Sequence, residues 1–445
     1  MAGARYWTCS ACRPQREALR WCISRSATPT ANRRGNRCYS KYSIEEPVFE
    51  HMDIEHVISK YSKNSSTRLT LQDLLQFGKP PVAVDKLVLN ARHIKRELLS
   101  SLSRRVIALR NLPYIMMLNP NISQIYHKYL SSIGFVYGNE IFKAKNVTTE
   151  EENRQFVDAL QKMVDEHTDA IPILAKGVAE SRSYISSTHA NAFLDEHLRA
   201  RVGTRLAAKH HIMLSHQSSP DYDTSRRYVG MVDTNLKPAE MVQSVADLLS
   251  DVSDLQYGLR PHLLVDKGSD IEIEYVSEHL EYILTELLKN CFRATVEHHL
   301  GQSSSAEYRM SSSSASESRG IFGGNISSIP PVLVTITSTP TGIQIRLRDR
   351  GGGIQDDNLK RIWGYSESTF EGDSRSDGFK TLNTPPPSVT GTGGSSMGGL
   401  GYGLPLSRAY ADYFGGDIEL ESIYGWGVST LFFILVLGTA DYCLD

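Results

Sequence analysis

The feature that most constrains this chain is DRGGGI, residues 349–354, where an acidic residue precedes three glycines at the end of a strand pattern. Upstream, apolar and polar residues alternate over 332–336 and 343–347, and Pro340-Thr341-Gly342 supplies a turn between the two runs. This pattern predicts a β-hairpin with one buried face. Because side chains alternate with a period of two, Asp349 lies on the buried face.

A carboxylate on a buried face needs a hydrogen-bond donor, since burial without one is costly. The glycines after Asp349 allow backbone to approach a ligand closely. A nucleotide base that donates from its amino group to Asp349 would satisfy both observations. Considered alone, the stretch is equally consistent with a glycine-rich turn whose aspartate caps a following helix.

A strongly helical segment, HLEYILTELLKNCFRATVEHH, lies upstream at 279–299. Glu286, Asn290 and Arg293 are spaced by four and three residues and share one helix face, which Glu297 extends. A carboxylate, an amide and a guanidinium suit phosphoryl transfer, which needs a base, an oxygen ligand for Mg²⁺ and a cation for phosphate. The alternative is a solvated polar stripe, which is the commoner fate of such a face.

A third segment, GGLGYGLPLSRAYADYFGGD at 398–417, places glycines directly ahead of a helix predicted to begin near Pro405. Glycine N–H groups that open a helix form a natural phosphate site. The spacing does not fit G-x-G-x-x-G and no Walker lysine-hydroxyl pair follows, so a dinucleotide fold and a P-loop are both disfavoured. The alternative is a flexible glycine linker before an ordinary helix.

The length of 445 residues suggests two or three domains. Helical periodicity predicts an all-α four-helix bundle, a docking or regulatory domain over 44–222. The mixed pattern that follows predicts an α/β or α+β domain over 223–445. Within that domain, the serine-rich insertion 302–328 is expected to lack regular structure.

The first 43 residues are rich in arginine and serine and poor in acids, which predicts a mitochondrial transit peptide, with a disordered basic tail as the alternative. Four of the six cysteines fall there, and Cys9-x-x-Cys12 lacks a second metal-binding pair.

A net charge of −2 implies no nucleic-acid partner, and no apolar run approaches the ~20 residues needed for a membrane span.

Taken jointly, the Glu-x-x-x-Asn helix, the Asp-x-Gly-x-Gly strand end and the Gly-x-Gly-x-Gly loop resemble the N, G1 and G2 boxes of the GHKL superfamily. The stretches ELLKNCFRATVE, DRGGGI and GYGLPLSRAYADYFGGD are most similar to the mitochondrial 2-oxo acid dehydrogenase kinases, as are RNLPYIMMLNPNI and SRSYI upstream. The resemblance implies an α/β sandwich that holds ATP under a mobile lid, here 371–397. Tyr282, where pyruvate dehydrogenase kinases usually carry histidine, favours the branched-chain type.

The resemblance also implies roles for individual residues. Glu286 would be the general base, Asn290 the Mg²⁺ ligand and Asp349 the acceptor for the adenine amino group. The other residues implied to contact ATP are Lys289, Arg293, Gly351, Gly353, Ser368, Thr369, Gly399, Leu400, Gly401, Tyr402, Gly403 and Leu404. Where the family usually has Gly-x-Gly-Thr-Asp, this chain has Val428-Ser429-Thr430, so the hydroxyl that reaches the nucleotide stays open.

The function that the resemblance implies is an ATP- and Mg²⁺-dependent protein serine kinase of the mitochondrial matrix, acting on the E1α subunit of a 2-oxo acid dehydrogenase complex. The E2 lipoyl domain would be the docking site, and the family forms homodimers. One alternative is a histidine kinase, because DEHLRAR around His197 faintly resembles a phospho-acceptor box. Another is a catalytically inactive nucleotide-binding scaffold that docks through the helical bundle.

Overall fold

The computed structural model describes residues 54–64, 68–78, 81–138, 149–219, 222, 227–311, 329–365 and 401–435, with side chains only as far as 301 in the stretch ending at 311. The predicted transit peptide, the whole of the predicted lid and most of the serine-rich insertion therefore lie outside the described residues. None of the helices in the described ranges combines the length and the apolar character that crossing a bilayer requires.

The first part of the chain is helical. Its helices are α1 (Ile54–Tyr61), α2 (Leu71–Leu75), α3 (Val84–Arg110), α4 (Tyr114–Met117), α5 (Pro120–Gly138), α6 (Glu150–Glu166), α7 (Ala170–Glu180) and α8 (Ser187–Gln217), with a 3₁₀ turn at Arg182–Tyr184. Helix α3 packs against α5 and α8, α6 packs against α8, and α7 against α5. The apolar stripe of α3, which is buried as its spacing predicts, consists of Ile94, Leu98, Leu102, Val106 and Leu109.

Local sequence signals start several of these helices. Thr149 and Glu152 form a capping box at the start of α6, each side chain bonded to the other's backbone N–H. Ser186 accepts a hydrogen bond from the N–H of His189 and caps α8.

Helix α8 also carries buried histidines into the helical core. The Nδ1 and Nε2 atoms of His211 each lie 3.1 Å from a side-chain amide, of Asn90 and Asn153 respectively. An imidazole protonated at Nε2 alone satisfies both contacts. Burial, reinforced by the neighbouring charge of His210, lowers the pKa of His211 to about 3. The ring is therefore a neutral structural group at physiological pH.

The second part mixes helices and strands. Strands β1 (Tyr228–Val229), β2 (Val232–Leu236) and β4 (Ile273–Val276) form a small antiparallel sheet, and helices α9 (Pro238–Tyr257) and α10 (Ser277–Ser311) pack together beside it. The larger sheet has the order β3-β5-β6-β8-β7, from β3 (Leu263–Lys267), β5 (Val332–Thr339), β6 (Gly342–Arg348), β7 (Asp417–Ile423) and β8 (Gly427–Leu435). Two further helices are α11 (Asp356–Leu359) and α12 (Gly403–Tyr413).

The predicted hairpin is confirmed as β5 and β6, whose register closes with Thr339 opposite Gly342. Strand β3 runs parallel to β5, and the remaining pairs in the sheet are antiparallel. The described structure is thus a helical region followed by a mixed α/β region with a five-stranded sheet.

One prediction about this region is wrong in part. Helix α10 continues to Ser311, ten residues into the serine-rich segment that was expected to lack regular structure. Between Gln302 and Ser311 the chain contains Ala306, Glu307, Arg309 and Met310, all good helix formers, which allow an existing helix to propagate at little cost.

Candidate functional site

Helix α10 brings Glu286, Lys289, Asn290 and Arg293 to one cavity. Its other side packs into the α/β core through Leu284, Leu287, Leu288 and Phe292, each at most 1% exposed. Glu286 and Lys289 are themselves only 7% exposed. The alternative interpretation of this face as a solvated stripe is therefore excluded for Glu286.

The Glu286 carboxylate is confined on both sides. Its Oε1 accepts a hydrogen bond of 2.6 Å from the Lys289 ammonium, three residues along the same helix. Its Oε2 lies against Gly403, the first residue of α12, where a Cβ atom would be 2.1 Å from that oxygen. A side chain at the start of α12 would therefore have to displace the Glu286 carboxylate.

Asp349, just after β6, points inward as its position in the alternation predicts and is 7% exposed. Its Oδ1 accepts hydrogen bonds from the N–H groups of Gly351, at 2.9 Å, and Val428, at 3.1 Å. Burial raises the pKa of Asp349, while these two N–H groups and the Cys291 thiol act in the opposite direction. Both backbone donors use Oδ1, so Oδ2 is not taken by them.

Cys291 on α10 approaches Asp349 from the helix side. The thiol is buried, and burial together with the nearby Asp349 charge raises its pKa well above the ordinary value. The thiol is therefore a neutral hydrogen-bond donor to the carboxylate rather than a nucleophile.

Two of the glycines after Asp349 are required by geometry. Gly351 faces Ala294 of α10, whose Cβ would be 2.4 Å from a Cβ at Gly351. Gly353 has φ +74°, in the left-handed region, and a Cβ there would meet the carbonyl oxygen of Ile423 at 2.3 Å. Glycine at both positions lets the turn lie directly against α10 and the β7–β8 hairpin.

The cavity has a volume of about 420 Å³. It brings together most of the predicted site residues in the described ranges, namely Glu286, Lys289, Asn290, Arg293, Asp349, Gly351, Gly353, Gly401, Gly403 and Leu404. Ser368, Thr369, Gly399 and Leu400 lie outside the described residues. Tyr402 does not line the cavity, because its side chain is 1% exposed and belongs to the helical core, with its ring 5.4 Å from that of Tyr365.

Residues of β8 complete the cavity and were not all predicted. Thr430, 3% exposed, lines it, whereas the Ser429 hydroxyl accepts a hydrogen bond from Arg346 on the opposite face of the sheet. Of the two candidate hydroxyls, Thr430 is thus the one at the cavity. Val428 contributes its backbone N–H to Asp349, which the side-chain pattern of the sequence gave no means to predict.

The arrangement can receive a ligand with an amino-bearing ring at Asp349 and negative charge near Lys289, Arg293 and the start of α12. Within the described ranges there is no cluster of three or more His, Cys, Asp or Glu side chains that could hold a metal on its own. A second cavity of about 280 Å³, between α3, α8 and α12, contains none of the predicted site residues.

Both regions of the chain match models of known protein families. A family model described as mitochondrial branched-chain alpha-ketoacid dehydrogenase kinase matches residues 68–233, and one described as histidine kinase-, DNA gyrase B- and HSP90-like ATPase matches residues 275–438. The first match begins after α1 and covers the rest of the helical region, and the second covers the cavity and every strand of the larger sheet except β3.

Full-length relatives span both regions. Human pyruvate dehydrogenase (acetyl-transferring) kinase isozyme 1, mitochondrial, is 26% identical over 415 residues, covering 91% of this chain and 85% of the relative. The Saccharomyces cerevisiae kinase 1 of the same name is 26% identical over 394 residues, covering 87% and 89%. The Arabidopsis thaliana kinase is 26% identical over 387 residues, covering 86% and 94%.

The second match spans all three motifs that meet in the cavity, and the resemblance predicted from those motifs is confirmed. Over both regions the chain is thus similar to the mitochondrial 2-oxo acid dehydrogenase kinases, and its second region is similar to the ATPases of the GHKL superfamily.

Proposed function

We propose that this chain is an ATP-dependent protein serine kinase of the mitochondrial matrix that phosphorylates, and so inactivates, the E1α subunit of a 2-oxo acid dehydrogenase complex. The observation that carries the proposal is the convergence of Glu286, Asn290 and Asp349 with the glycines of two turns on one 420 Å³ cavity. The relatives, which are mitochondrial pyruvate dehydrogenase kinases, support the substrate class.

In this proposal Asp349 accepts a hydrogen bond from the adenine amino group, and Gly351 and Gly353 shape that end of the cavity. Arg293, Lys289 and the segment Gly399–Leu404 contact the phosphates. The start of α12 supports an anion there because its first N–H groups have no partner within the helix. Thr430 adds a hydroxyl from β8.

Glu286 is the general base. It accepts the proton of the acceptor serine hydroxyl while the serine oxygen bonds to the γ-phosphorus and the bond from that phosphorus to the β-γ bridging oxygen breaks, which releases ADP. The buried position of Glu286 keeps water away from the carboxylate.

Mg²⁺ accompanies the nucleotide in this proposal, with Asn290 supplying the protein oxygen. The donor set fits this role, since an amide oxygen from Asn290, in a part of the chain where the described residues form no metal-binding cluster of acidic side chains, suits an ion held mainly by phosphate oxygens and water. When bound, the ion neutralises charge that develops on the phosphates.

We further propose that the helical region acts as a four-helix bundle that docks on the complex through the E2 lipoyl domain, and that the chain forms a homodimer. The docking role is what the resemblance of residues 68–233 to the branched-chain kinases implies. The relatives named as pyruvate dehydrogenase kinases leave pyruvate E1α as an equal candidate substrate.

The histidine-kinase alternative finds less support. His197, the candidate phospho-acceptor, is 2% exposed and its Nε2 lies 2.8 Å from the Tyr129 hydroxyl. Burial and the charges of Arg105 and Arg201 lower its pKa well below the ordinary value. A phosphoryl donor cannot reach this ring without opening the helical core.

The test is phosphate transfer from labelled ATP to purified branched-chain and pyruvate E1, with the wild-type chain and a Glu286→Gln variant. We expect acid-stable phosphoserine on one E1α with the wild type and a large loss with the variant. Acid-labile phosphohistidine on the chain itself would instead indicate a histidine kinase. ATP binding without transfer to either E1 would indicate an inactive scaffold.

A further inference from the structure

One buried ion pair joins two groups to which the proposed function gives different tasks. Glu286 is the proposed base and Lys289 a proposed phosphate contact, yet Glu286 Oε1 and Lys289 Nζ are 2.6 Å apart. Their side chains are only 10% and 8% exposed, so water screens the interaction weakly. Among the described residues, no other ion pair involves either group.

The ion pair with Lys289 hinders Glu286 from accepting a proton as a general base. An ammonium hydrogen-bonded to a carboxylate occupies one of the two oxygens that could accept a proton from the substrate. The other oxygen, Oε2, faces the glycine at the start of α12. The carboxylate is therefore well placed but masked on the side of Lys289.

The same ammonium lies where polyphosphate would be drawn. Lys289 lines the cavity together with Gly401, Gly403 and Arg293, the elements that favour an anion. A triphosphate carries more negative charge than one carboxylate and competes for a shared cation at short range. Binding of a phosphate to Lys289 thus weakens its hold on Glu286.

We propose that Glu286 and the nucleotide phosphates compete for Lys289, so that this lysine masks the base until bound ATP draws it away. The proposal rests on the proposed function and deepens it. Lys289 then acts as a positioning residue that makes base activity conditional on the presence of the phosphate donor. If the Lys289 ammonium instead bound Glu286 and the phosphates at the same time, Glu286 would help to position the lysine. Removing Glu286 would then weaken ATP binding rather than strengthen it.

The test is a set of calorimetric titrations with ATP and with adenosine on the wild type, Glu286→Gln, Lys289→Met and the double variant. A charge-assisted hydrogen bond corresponds to roughly 10- to 100-fold in affinity. We expect Glu286→Gln to bind ATP about ten-fold more tightly and Lys289→Met to bind it at least about ten-fold more weakly. The gain from Glu286→Gln should disappear in the double variant, and Lys289→Arg should recover much of the ATP affinity.

Adenosine is the control, because it reaches Asp349 but offers no phosphate to Lys289. Its affinity should be the same in all variants. Unchanged or weaker ATP binding by Glu286→Gln would overturn the competition, as would equal losses of ATP and adenosine affinity in Lys289→Met. Failure of the wild type to bind either ligand would refute the proposed function as well, whereas normal wild-type ATP binding without the gain refutes the competition alone.

Discussion

The contact between Glu286 and the start of α12 makes Gly403→Ala a sharp perturbation. A Cβ at 403 would lie 2.1 Å from Glu286 Oε2, so the two must separate by about 1.3 Å to reach an ordinary contact of 3.4 Å. The φ angle of Gly403 is not positive, so alanine is compatible with the helical backbone there and the clash with Glu286 dominates.

Two magnitudes follow from this geometry. Overpacking of this kind costs about 1–3 kcal/mol of unfolding free energy. A misplacement of about 1 Å of a catalytic group costs about 10²-fold in rate. We therefore expect Gly403→Ala to lower phosphate transfer by about 10²-fold, while the Asp349 end of the cavity and adenosine binding are preserved.

The stability assay is a denaturant-unfolding cycle with Gly403→Ala, Glu286→Ala and the double variant. Removing the carboxylate removes the clashing atom, so the cost of Gly403→Ala should largely vanish in the Glu286→Ala background. Gly301→Ala is the matched control, since nothing lies within 4 Å of a Cβ at that helical glycine. An additive cycle, or full activity of Gly403→Ala, would refute the inferred contact.

Three further predictions concern other parts of the molecule. Burial raises the pKa of Asp349 and the Cys291 thiol opposes this rise, so ATP affinity should fall on acidification as Asp349 becomes protonated. ATP titrations at several pH values should show this fall at a higher pH in Cys291→Ala, which has no hydrogen-bond donor, than in Cys291→Ser. His211 has a pKa of about 3 in the folded protein against 6.5 in the unfolded chain, so its contribution to stability is complete above about pH 6.5 and declines below it. Chemical denaturation across pH 4–7 should therefore show a shallower fall of unfolding free energy with acidification in His211→Gln than in the wild type. Tyr365→Phe removes the 3.1 Å hydrogen bond to Asp195 of the helical region and should cost about 0.5–1.5 kcal/mol in unfolding free energy, so an unchanged denaturation midpoint would contradict that contact's role.

The hairpin and the inward carboxylate could be predicted from the sequence because they depend on local periodicity alone. Alternation over 343–347 fixes the face of Asp349, and Pro340-Thr341-Gly342 marks the turn. The helix that bears Glu286 was likewise predicted from its own residues. These features need no knowledge of distant parts of the chain.

The features that were missed depend on contacts between distant segments. Gly403, more than 100 residues after Glu286, lies against its carboxylate, and Asp349 receives a hydrogen bond from the Val428 N–H across the β6–β8 pairing. The packing of Tyr402 in the helical core depends on Tyr365. Spacing within one segment carries no signal for such contacts, although a glycine at the first position of a helix hints at a close approach.

Lys289 shows the same limit in a side chain. The family resemblance implied that Lys289 lies near the phosphates, and the structure adds the ion pair between Lys289 and Glu286. A spacing of three on a helix permits this pair but does not distinguish it from a solvated one, because burial decides between them.

The central claim, that this cavity binds ATP through Asp349, is tested most directly by titrating ATP into the wild type and Asp349→Asn, with Asp356→Asn as an exposed aspartate control. Circular dichroism should confirm that each variant keeps its helical content. The account predicts saturable binding by the wild type and by Asp356→Asn, and loss of binding by Asp349→Asn. Retained micromolar affinity in Asp349→Asn would contradict it.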